Sequence, residues 1–242
     1  SRLINGHITE ASHILDSITD QNDREVMFLR AEVLMATHQH TKADALLRAL
    51  IEEENYEANA YADIIDLLVD NGQNDMANLW IDEATQRYPD HQVLTESAAY
   101  SHTLQERFEE AITLYNRLLD IDPYSTFYWE ELGKIYFRLE EYDKAIEAFE
   151  FVIAINGDEC HYALYAVANC YFNIGNYERA EEYYHTIHER YPETVDPLFH
   201  MGMCRVNRGD DEGALDYFTQ ALTTIPEGSE EQAQIYSQMS LI

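Results

Sequence analysis

The sequence is poor in the residues that mark most metal, disulfide and membrane proteins. Its 242 residues include three cysteines, nine glycines and five prolines. Cys160, Cys170 and Cys204 are odd in number and form no CxxC pair, so neither a disulfide framework nor a zinc ribbon is indicated. No apolar run approaches the roughly 18 residues of a membrane span, and the start lacks a signal-peptide core. We therefore expect a cytoplasmic protein.

Basic residues are scarce too. The chain has 15 Lys and Arg against 46 Asp and Glu, a formal net charge of -31 that is spread over both halves. Such a field repels nucleic acid and anionic lipid over a Debye length of about 8 Å at physiological salt. We expect neither as a partner, which leaves basic or neutral protein segments. The apolar fraction of 46% predicts a packed core.

The sequence also lacks the motifs of common enzymes. It has no GxSxG, HExxH, P-loop or dinucleotide fingerprint, so we predict no enzymatic activity and no cofactor. The densest reactive stretch is "NIGNYERAEEYYHTIHERYP", where Glu181, His185 and His188 share one predicted helix face. Two histidines without a cysteine make a weak zinc pattern, and a solvated or interface face is favoured. We predict no metal site.

What the sequence does contain is a 34-residue period. Pro89 and Pro123 are 34 residues apart, Pro192 and Pro226 are also 34 apart, and 69 residues separate the two pairs. An alanine stands in one phase of all six periods: Ala43, Ala77, Ala111, Ala145, Ala180 and Ala214. A fixed period of this length is typical of stacked structural repeats.

Two amphipathic helices fit each period. A large apolar residue follows each alanine by four positions, on the same helical face: Leu47, Ile81, Tyr115, Phe149, Tyr184 and Phe218. A small or aliphatic residue precedes each alanine by twelve, inside a second apolar-periodic run: Ala31, Ile65, Ala99, Gly133, Ala168 and Gly202. Gly72, Gly175 and Gly209 can end the first helix. We predict turns near 72–74, 106–108, 140–142, 175–177 and 209–211.

This pattern resembles the tetratricopeptide repeat. The best match is 126–159, where the family's marker positions hold Trp129, Leu132, Gly133, Tyr136, Ala145 and Phe149. The resemblance implies an all-α, right-handed superhelical solenoid of antiparallel helix pairs. We expect one solenoid over 1–242, with a partial repeat 6–23, repeats 24–57, 58–91, 92–125, 126–159, 161–194 and 195–228, and a partial terminal helix 229–242. His102, Cys170 and Cys204 stand in packing positions and are expected in the core.

The two ends look like half repeats. Residues 6–19 have a second helix's pattern, and 229–242 a first helix's. Because each repeat buries its apolar face against its neighbours, we expect the chain to be a fragment of a longer protein. The apolar residues Ile14, Leu15 and Ile18 of the first half repeat predict end-to-end self-association.

The resemblance further implies that first helices line a concave inner surface. Its N-terminal zone is acidic, with Glu25, Glu32, Asp66, Asp70 and Glu96 at the family's inner positions. Co-chaperones of the family hold chaperone tails with Lys and Asn. The fifth position of the repeats here has no Lys: Phe28, Ala62, Glu96, Glu130, Tyr165 and Phe199. We therefore expect no chaperone-tail clamp.

The C-terminal zone is the predicted peptide site. Its residues are Phe127, Lys134, Phe137, Arg138, Tyr162, Tyr165, Asn169, Phe172, Asn173, Phe199 and Asn207. Exposed rings suit apolar side chains, carboxamides can pair a peptide backbone, and Lys134 and Arg138 can meet an acidic group. The alternatives are rings packed between repeats and a surface charge ladder at Glu130, Lys134 and Arg138.

From these patterns we predict a non-enzymatic scaffold that binds an extended peptide or protein segment, basic in part, on its concave face. The alternative is a recruiting or regulatory arm of a larger enzyme or signalling protein. A purely structural assembly subunit is a third reading.

Overall fold

The computed structural model describes residues 8–18, 23–157, 160–192, 194–226 and 228–242. Within these ranges it has fourteen α-helices and no strand, which confirms the predicted all-α class. The helices are α1 (Ile8–Ser17), α2 (Arg24–Ala36), α3 (His40–Glu53), α4 (Ala58–Asp70), α5 (Asn74–Arg87), α6 (Gln92–Leu104), α7 (Phe108–Ile121), α8 (Thr126–Arg138), α9 (Tyr142–Asn156), α10 (His161–Asn173), α11 (Tyr177–Arg190), α12 (Asp196–Asn207), α13 (Asp211–Thr224) and α14 (Glu230–Met239). None of the described helices is long and apolar enough to span a bilayer.

The chain divides into two compact units, unit 1 (Ser1–Ile121) and unit 2 (Asp122–Ile242). Each of the six 34-residue windows holds one helix pair. The single solenoid over 1–242 stays a prediction. The partial repeat 6–23 falls partly outside the described residues; within α1, Leu15 is buried and Ile14 is exposed.

The turn inside every helix pair is built in the same way. One residue after the first helix has a positive φ: His38, Gly72, Glu106, Glu140, Gly175 and Gly209. At Gly72 the backbone N–H donates to the Val69 carbonyl, and the next N–H, of Gln73, donates to the Leu68 carbonyl at 2.8 Å. This is the Schellman pattern, and it closes the last free carbonyls of the helix. The turns lie within one residue of the predicted positions.

The paired helices meet through a small residue opposite a large one. All six phased alanines are fully buried. In unit 2 a Cβ added to Gly133 would lie 2.8 Å from the Phe149 ring, and one added to Gly202 would overlap Phe218. The ring occupies the space that a side chain would need, so the period found in the sequence is a period of helix contacts.

Three predicted core residues are buried as expected, namely His102, Cys170 and Cys204. Burial raises the pKa of the Cys170 thiol to about 12, which keeps the thiol protonated and unreactive. Burial, followed by the charge of Arg107, lowers the pKa of His102 below its ordinary 6.5. His102 is therefore a neutral core histidine near neutral pH.

The packing between helix pairs differs in the two units. In unit 1 two first helices, α4 and α6, pack directly on each other. In unit 2 the close neighbours of the first helix α10 are the second helices α9 and α11, and those of α12 are α11 and α13. The peptide site predicted from the sequence has four residues on α8 and seven on α10 and α12.

Candidate functional site

The eleven residues of the predicted peptide site all lie on first helices of unit 2, namely α8, α10 and α12. None is fully buried. The exposed members are Phe127, Lys134, Arg138, Tyr162, Asn173 and Asn207; the half-buried ones are Phe137, Tyr165, Asn169, Phe172 and Phe199. We call these eleven residues together the first-helix surface of unit 2. It presents rings and amides to solvent together.

A cavity of about 710 Å³ opens where α10, the start of α12 and the start of α14 come together. Its lining includes two of the predicted residues, Tyr165 and Asn169. The remaining lining residues are His161, Thr194, Val195, Asp196, Ile225, Pro226, Ser229 and Glu231. We call it the first-helix cavity. Its size is in the range of pockets that hold small ligands.

Aromatic rings form one wall of the first-helix cavity. The His161 ring lies edge to face against Tyr165, with centroids 5.0 Å apart, and against Tyr191 at the same distance. Burial, and after it the charge of Asp196, raises the pKa of the Tyr165 phenol to about 12. The phenol, which shares a hydrogen bond with Thr194, therefore stays neutral at physiological pH and holds the ring at the cavity.

The three predicted amides differ in what they can offer a ligand. The Tyr184 hydroxyl donates to Asn169 Oδ1 at 2.6 Å, which leaves the Asn169 Nδ2 group as a donor. The Nδ2 groups of Asn173 and Asn207 donate to the carbonyls of Asn169 and Met203 in their own helices. Their Oδ1 atoms are then the groups that can accept a hydrogen bond.

Carboxylates surround the predicted basic residue Lys134. Its ammonium group contacts Glu130 and lies 2.9 Å from Glu131. The Tyr162 hydroxyl donates to Glu130 as well, and burial together with this bond raises the pKa of Tyr162. An acidic ligand at Lys134 would have to compete with both glutamates. Phe127 nearby is 52% exposed.

The other predicted rings partly pack against neighbouring helices, as the alternative interpretation held. Phe137 lies edge to face against Tyr142, and Phe172 against Tyr177. The Phe199 ring is 5.8 Å from that of the buried Phe218. Each of these three rings packs against a neighbouring ring and is only half-buried.

The acidic positions of unit 1 are spread over α2, α4 and α6, and their exposure varies. Glu25 and Asp70 are exposed, whereas Glu32, Asp66 and Glu96 are half-buried. Burial raises the pKa of Asp66, and the charges of Asp63 and Asp70 raise it further, although a hydrogen bond with Ser97 acts in the opposite direction.

Sequence reasoning missed a charged cluster around Glu181. Glu181 is buried, and its carboxylate accepts hydrogen bonds from Arg205 at 2.8 Å, Arg208 at 2.9 Å and the Tyr217 hydroxyl at 3.1 Å. The expectation of a solvated or interface face is therefore wrong for Glu181, although His185 of the same stretch is exposed. Both arginines follow Glu181 by more than twenty residues, too far for a helix-spacing rule. Among the described residues no group of three His, Cys, Asp or Glu is placed to hold a metal ion.

Sequence reasoning also missed three residues of the first-helix cavity, His161, Asp196 and Glu231. They stand at the first, second and third positions of successive repeats, where the first helices begin. Asp196 occupies an inner position of the family pattern, but the site was predicted from aromatic, amide and basic residues, and an aspartate is none of these. Acidic side chains at these helix starts were the available signal.

Comparison with known proteins gives consistent matches. A family model described as tetratricopeptide repeat matches residues 63–126, 130–193 and 171–229. Protein bimA of Emericella nidulans is 31% identical over 87 residues, which cover 36% of this chain and 10% of bimA. The match thus spans a tenth of that curated relative.

Solved structures resemble the fold. The crystal structure of YrrB, described as a TPR protein with an unusual peptide-binding site, matches with a TM-score of 0.64 at 17% identity over 81% of this chain and 98% of YrrB. MamA matches with a TM-score of 0.61 at 22% identity over 69% of this chain and 91% of MamA. A tetratricopeptide repeat protein from Parabacteroides merdae matches with a TM-score of 0.61 at 17% identity over 92% and 87% of the two chains. At these identities the likeness concerns the fold alone.

Proposed function

Because this chain belongs to the tetratricopeptide repeat family, whose repeats generally serve as non-catalytic interaction modules, we propose that it is a non-enzymatic scaffold that binds an extended protein segment on the first-helix surface of unit 2. One observation carries the proposal: the first-helix cavity joins the His161 and Tyr165 rings and an amide donor in one concavity of about 710 Å³. Concave, partly apolar sites with a few convergent polar groups are the usual form of ligand sites.

The side chains of this surface suit an extended backbone. Asn169 has an amide donor to offer, whereas Asn173 and Asn207 offer acceptors. An extended segment presents carbonyl and N–H groups alternately, so donors and acceptors on the same face can both be used. The Tyr165, Phe172 and Phe199 rings supply apolar contact for its side chains. YrrB, which shares the fold, is described as having a peptide-binding site, and this supports the proposal by analogy.

The experiment is a peptide selection on the full chain. A random peptide library is panned on the immobilised protein, and the affinity of a synthesised winner is measured by fluorescence anisotropy. Truncation of central aromatic anchors commonly costs 2 kcal/mol or more, so Tyr165→Ala with Phe172→Ala should weaken binding by about thirtyfold.

The matched control removes two rings outside the first-helix surface, through Tyr124→Ala with Phe151→Ala. Both rings are exposed, and this variant should bind as the unchanged protein does. Thermal melts followed by circular dichroism establish that both variants fold. Equal affinity of the Tyr165/Phe172 variant and the unchanged protein would refute the assignment of the surface.

The alternative, a recruiting arm of a larger enzyme or signalling protein, uses the same surface. In that alternative the repeats are part of a chain that also carries an enzyme or signalling domain. The sequence of the full gene product distinguishes the alternative from the proposed scaffold. End-to-end self-association is a separate prediction, which light scattering of the chain over a range of concentrations tests.

A further inference from the structure

The first-helix cavity combines ring faces, carboxylates and one amide donor, which is the chemistry that recognises a cationic side chain. We propose that it takes the side chain of a lysine or arginine within the bound protein segment. The inference rests on the proposed function and names the partner's chemistry at the same site.

The aromatic wall suits both parts of such a side chain. His161 and Tyr165 line the cavity, and their rings stand edge to face with centroids 5.0 Å apart. The faces of aromatic rings attract a cation through their quadrupole, and they cover the methylene stem of lysine or arginine by ordinary apolar contact. The Tyr165 phenol stays neutral at physiological pH, so the ring brings no charge of its own to the cavity.

The charge in the cavity has one sign. Asp196 and Glu231 line it, and none of its described lining residues is lysine or arginine. Both carboxylates lie in the first turns of α12 and α14, where each helix dipole offsets about half a charge. The two full negative charges exceed that offset, so the cavity keeps a negative potential.

Two arginines of unit 2 are already bonded to other carboxylates. Arg205 bonds with Glu181 and Asp210, and Arg208 bonds with Glu181. The basic side chain of the bound segment supplies the cation that Asp196 and Glu231 attract. A chain with a formal net charge of -31 would also speed the approach of a basic segment.

The Asn169 side chain can bind the peptide backbone beside the cationic side chain. Its Oδ1 is occupied by the Tyr184 hydroxyl, so its Nδ2 group can donate to a backbone carbonyl at the cavity's edge. A lysine or arginine residue brings both a side-chain cation and a neighbouring carbonyl. A free amine brings only the first, and this favours a basic residue of an extended segment.

The test is a nuclear magnetic resonance titration of the full chain with four short peptides. Each is acetylated and amidated, built from alanine, valine and threonine, and carries lysine, arginine, norleucine or glutamate at its centre. The lysine or arginine peptide should shift the Asn169 side-chain amide resonance and bind about tenfold tighter than the norleucine peptide. Norleucine keeps the apolar stem and lacks the charge.

Paired variants locate the charge effect. Asp196→Asn with Glu231→Gln should remove the advantage of the basic peptides over the norleucine peptide. The control is Asp211→Asn with Glu212→Gln, which removes equal charge from the first turn of α13, away from the cavity lining. The control should keep the full advantage, because it alters the net charge alone.

The outcomes separate this inference from the proposed function. If all four peptides shift Asn169 and bind equally, the peptide site stands and the cationic preference is overturned. The same holds if the Asp196/Glu231 variant keeps the advantage. If no peptide shifts any resonance of α10 or α12 at up to about 5 mM, roughly 3 kcal/mol of binding free energy, the cationic preference is overturned, and the selected peptide alone decides the proposed function.

Discussion

Unit 1 and unit 2 use the same repeat to make two different first-helix surfaces. In unit 1, α6 buries small residues, among them Ser97, Ala98 and Ser101, and it packs directly on α4. In unit 2 the corresponding helices carry Tyr162, Tyr165 and Phe199, and their close neighbours are second helices. Small side chains let helix backbones approach, whereas rings hold them apart.

The difference shows where a ligand site can form within one fold. Close packing of α4 on α6 leaves no room for a partner between them, because interiors of proteins are densely packed. The half-buried Tyr165 ring on α10, in contrast, borders the first-helix cavity. Position within the repeat is therefore not sufficient to predict a site; the side chains of the first helix and of the helices packed on it decide.

Each unit contains one tryptophan, which allows the two to be compared directly. Trp80 lies fully buried in unit 1, and Trp129 lies in unit 2. Variants that keep a single tryptophan, through Trp80→Phe or Trp129→Phe, report the unfolding of one unit at a time by fluorescence in urea. The following predictions use these variants as background.

The largest effect is expected from Glu181→Ala in unit 2. Its buried carboxylate accepts hydrogen bonds from Arg205, Arg208 and the Tyr217 hydroxyl, and losing hydrogen bonds to a charged group typically costs about 3 kcal/mol. Glu182→Ala is the control, because Glu182 is exposed and pairs with the exposed Arg179. The urea midpoint reported by Trp129 should fall for the first variant alone; equal midpoints would show that Glu181 contributes nothing.

Overpacking of the phased alanines should come next. Ala145→Leu and Ala180→Leu insert a side chain at fully buried helix contacts of unit 2, and we expect a loss of about 1 to 3 kcal/mol in the free energy of unfolding. Ala154→Leu is the control on the same helix as Ala145, because Ala154 is exposed. Unchanged midpoints for both core variants would refute the proposed contact.

A smaller effect is expected in the pH dependence of stability, which should differ between the two units. His102 belongs to unit 1, and burial and Arg107 lower its pKa in the folded state, whereas Glu110 and Asp82 act to raise it. The unfolded state then binds more protons, so this stabilising contribution is present above the ordinary pKa of 6.5 and is lost as pH falls toward the folded pKa.

His102→Gln should therefore reduce the acid loss of stability reported by Trp80, and leave the Trp129 signal unchanged. His185→Gln, which alters an exposed histidine, should change neither. A Trp80 signal with the same pH dependence in His102→Gln and the unchanged protein would contradict the role of His102.

The smallest effect concerns the left-handed turns. Glu140 has a φ of 59°, and the equivalent positions of the next two repeats are occupied by Gly175 and Gly209. Glu140→Gly should stabilise unit 2 by about 0.5 to 1 kcal/mol, because glycine adopts this conformation without strain. Glu141→Gly, one residue later with a φ of -83°, should not stabilise. Identical changes in the two urea midpoints would contradict the strain at Glu140.

The periodic part of this structure could be read from the sequence. Alanines at a fixed phase, such as Ala145, predicted helix contacts because period and helical geometry are local properties. The left-handed Gly72 and the buried His102 followed from the same phase. Such positions repeat six times, and repetition separates them from chance.

The non-periodic part could not be read in the same way. Glu181 contacts Arg205 and Arg208 through the packing of α11 on α12, a relation that a single-helix spacing rule does not contain. The first-helix cavity draws Asp196 and Glu231 from the starts of two helices and Tyr165 from a third. Each position is ordinary by itself, and only the assembled helices make them neighbours.

The most direct test of the central claim uses a photoreactive residue at matched positions. Phe199 in unit 2 and Phe28 in unit 1 occupy the fifth position of their repeats, and both are half-buried. Benzoylphenylalanine replaces one or the other, and the peptide selected on the full chain is irradiated with each variant. We expect a cross-link from position 199 and none from position 28. A cross-link from position 28 and none from position 199 would contradict the assignment of binding to unit 2.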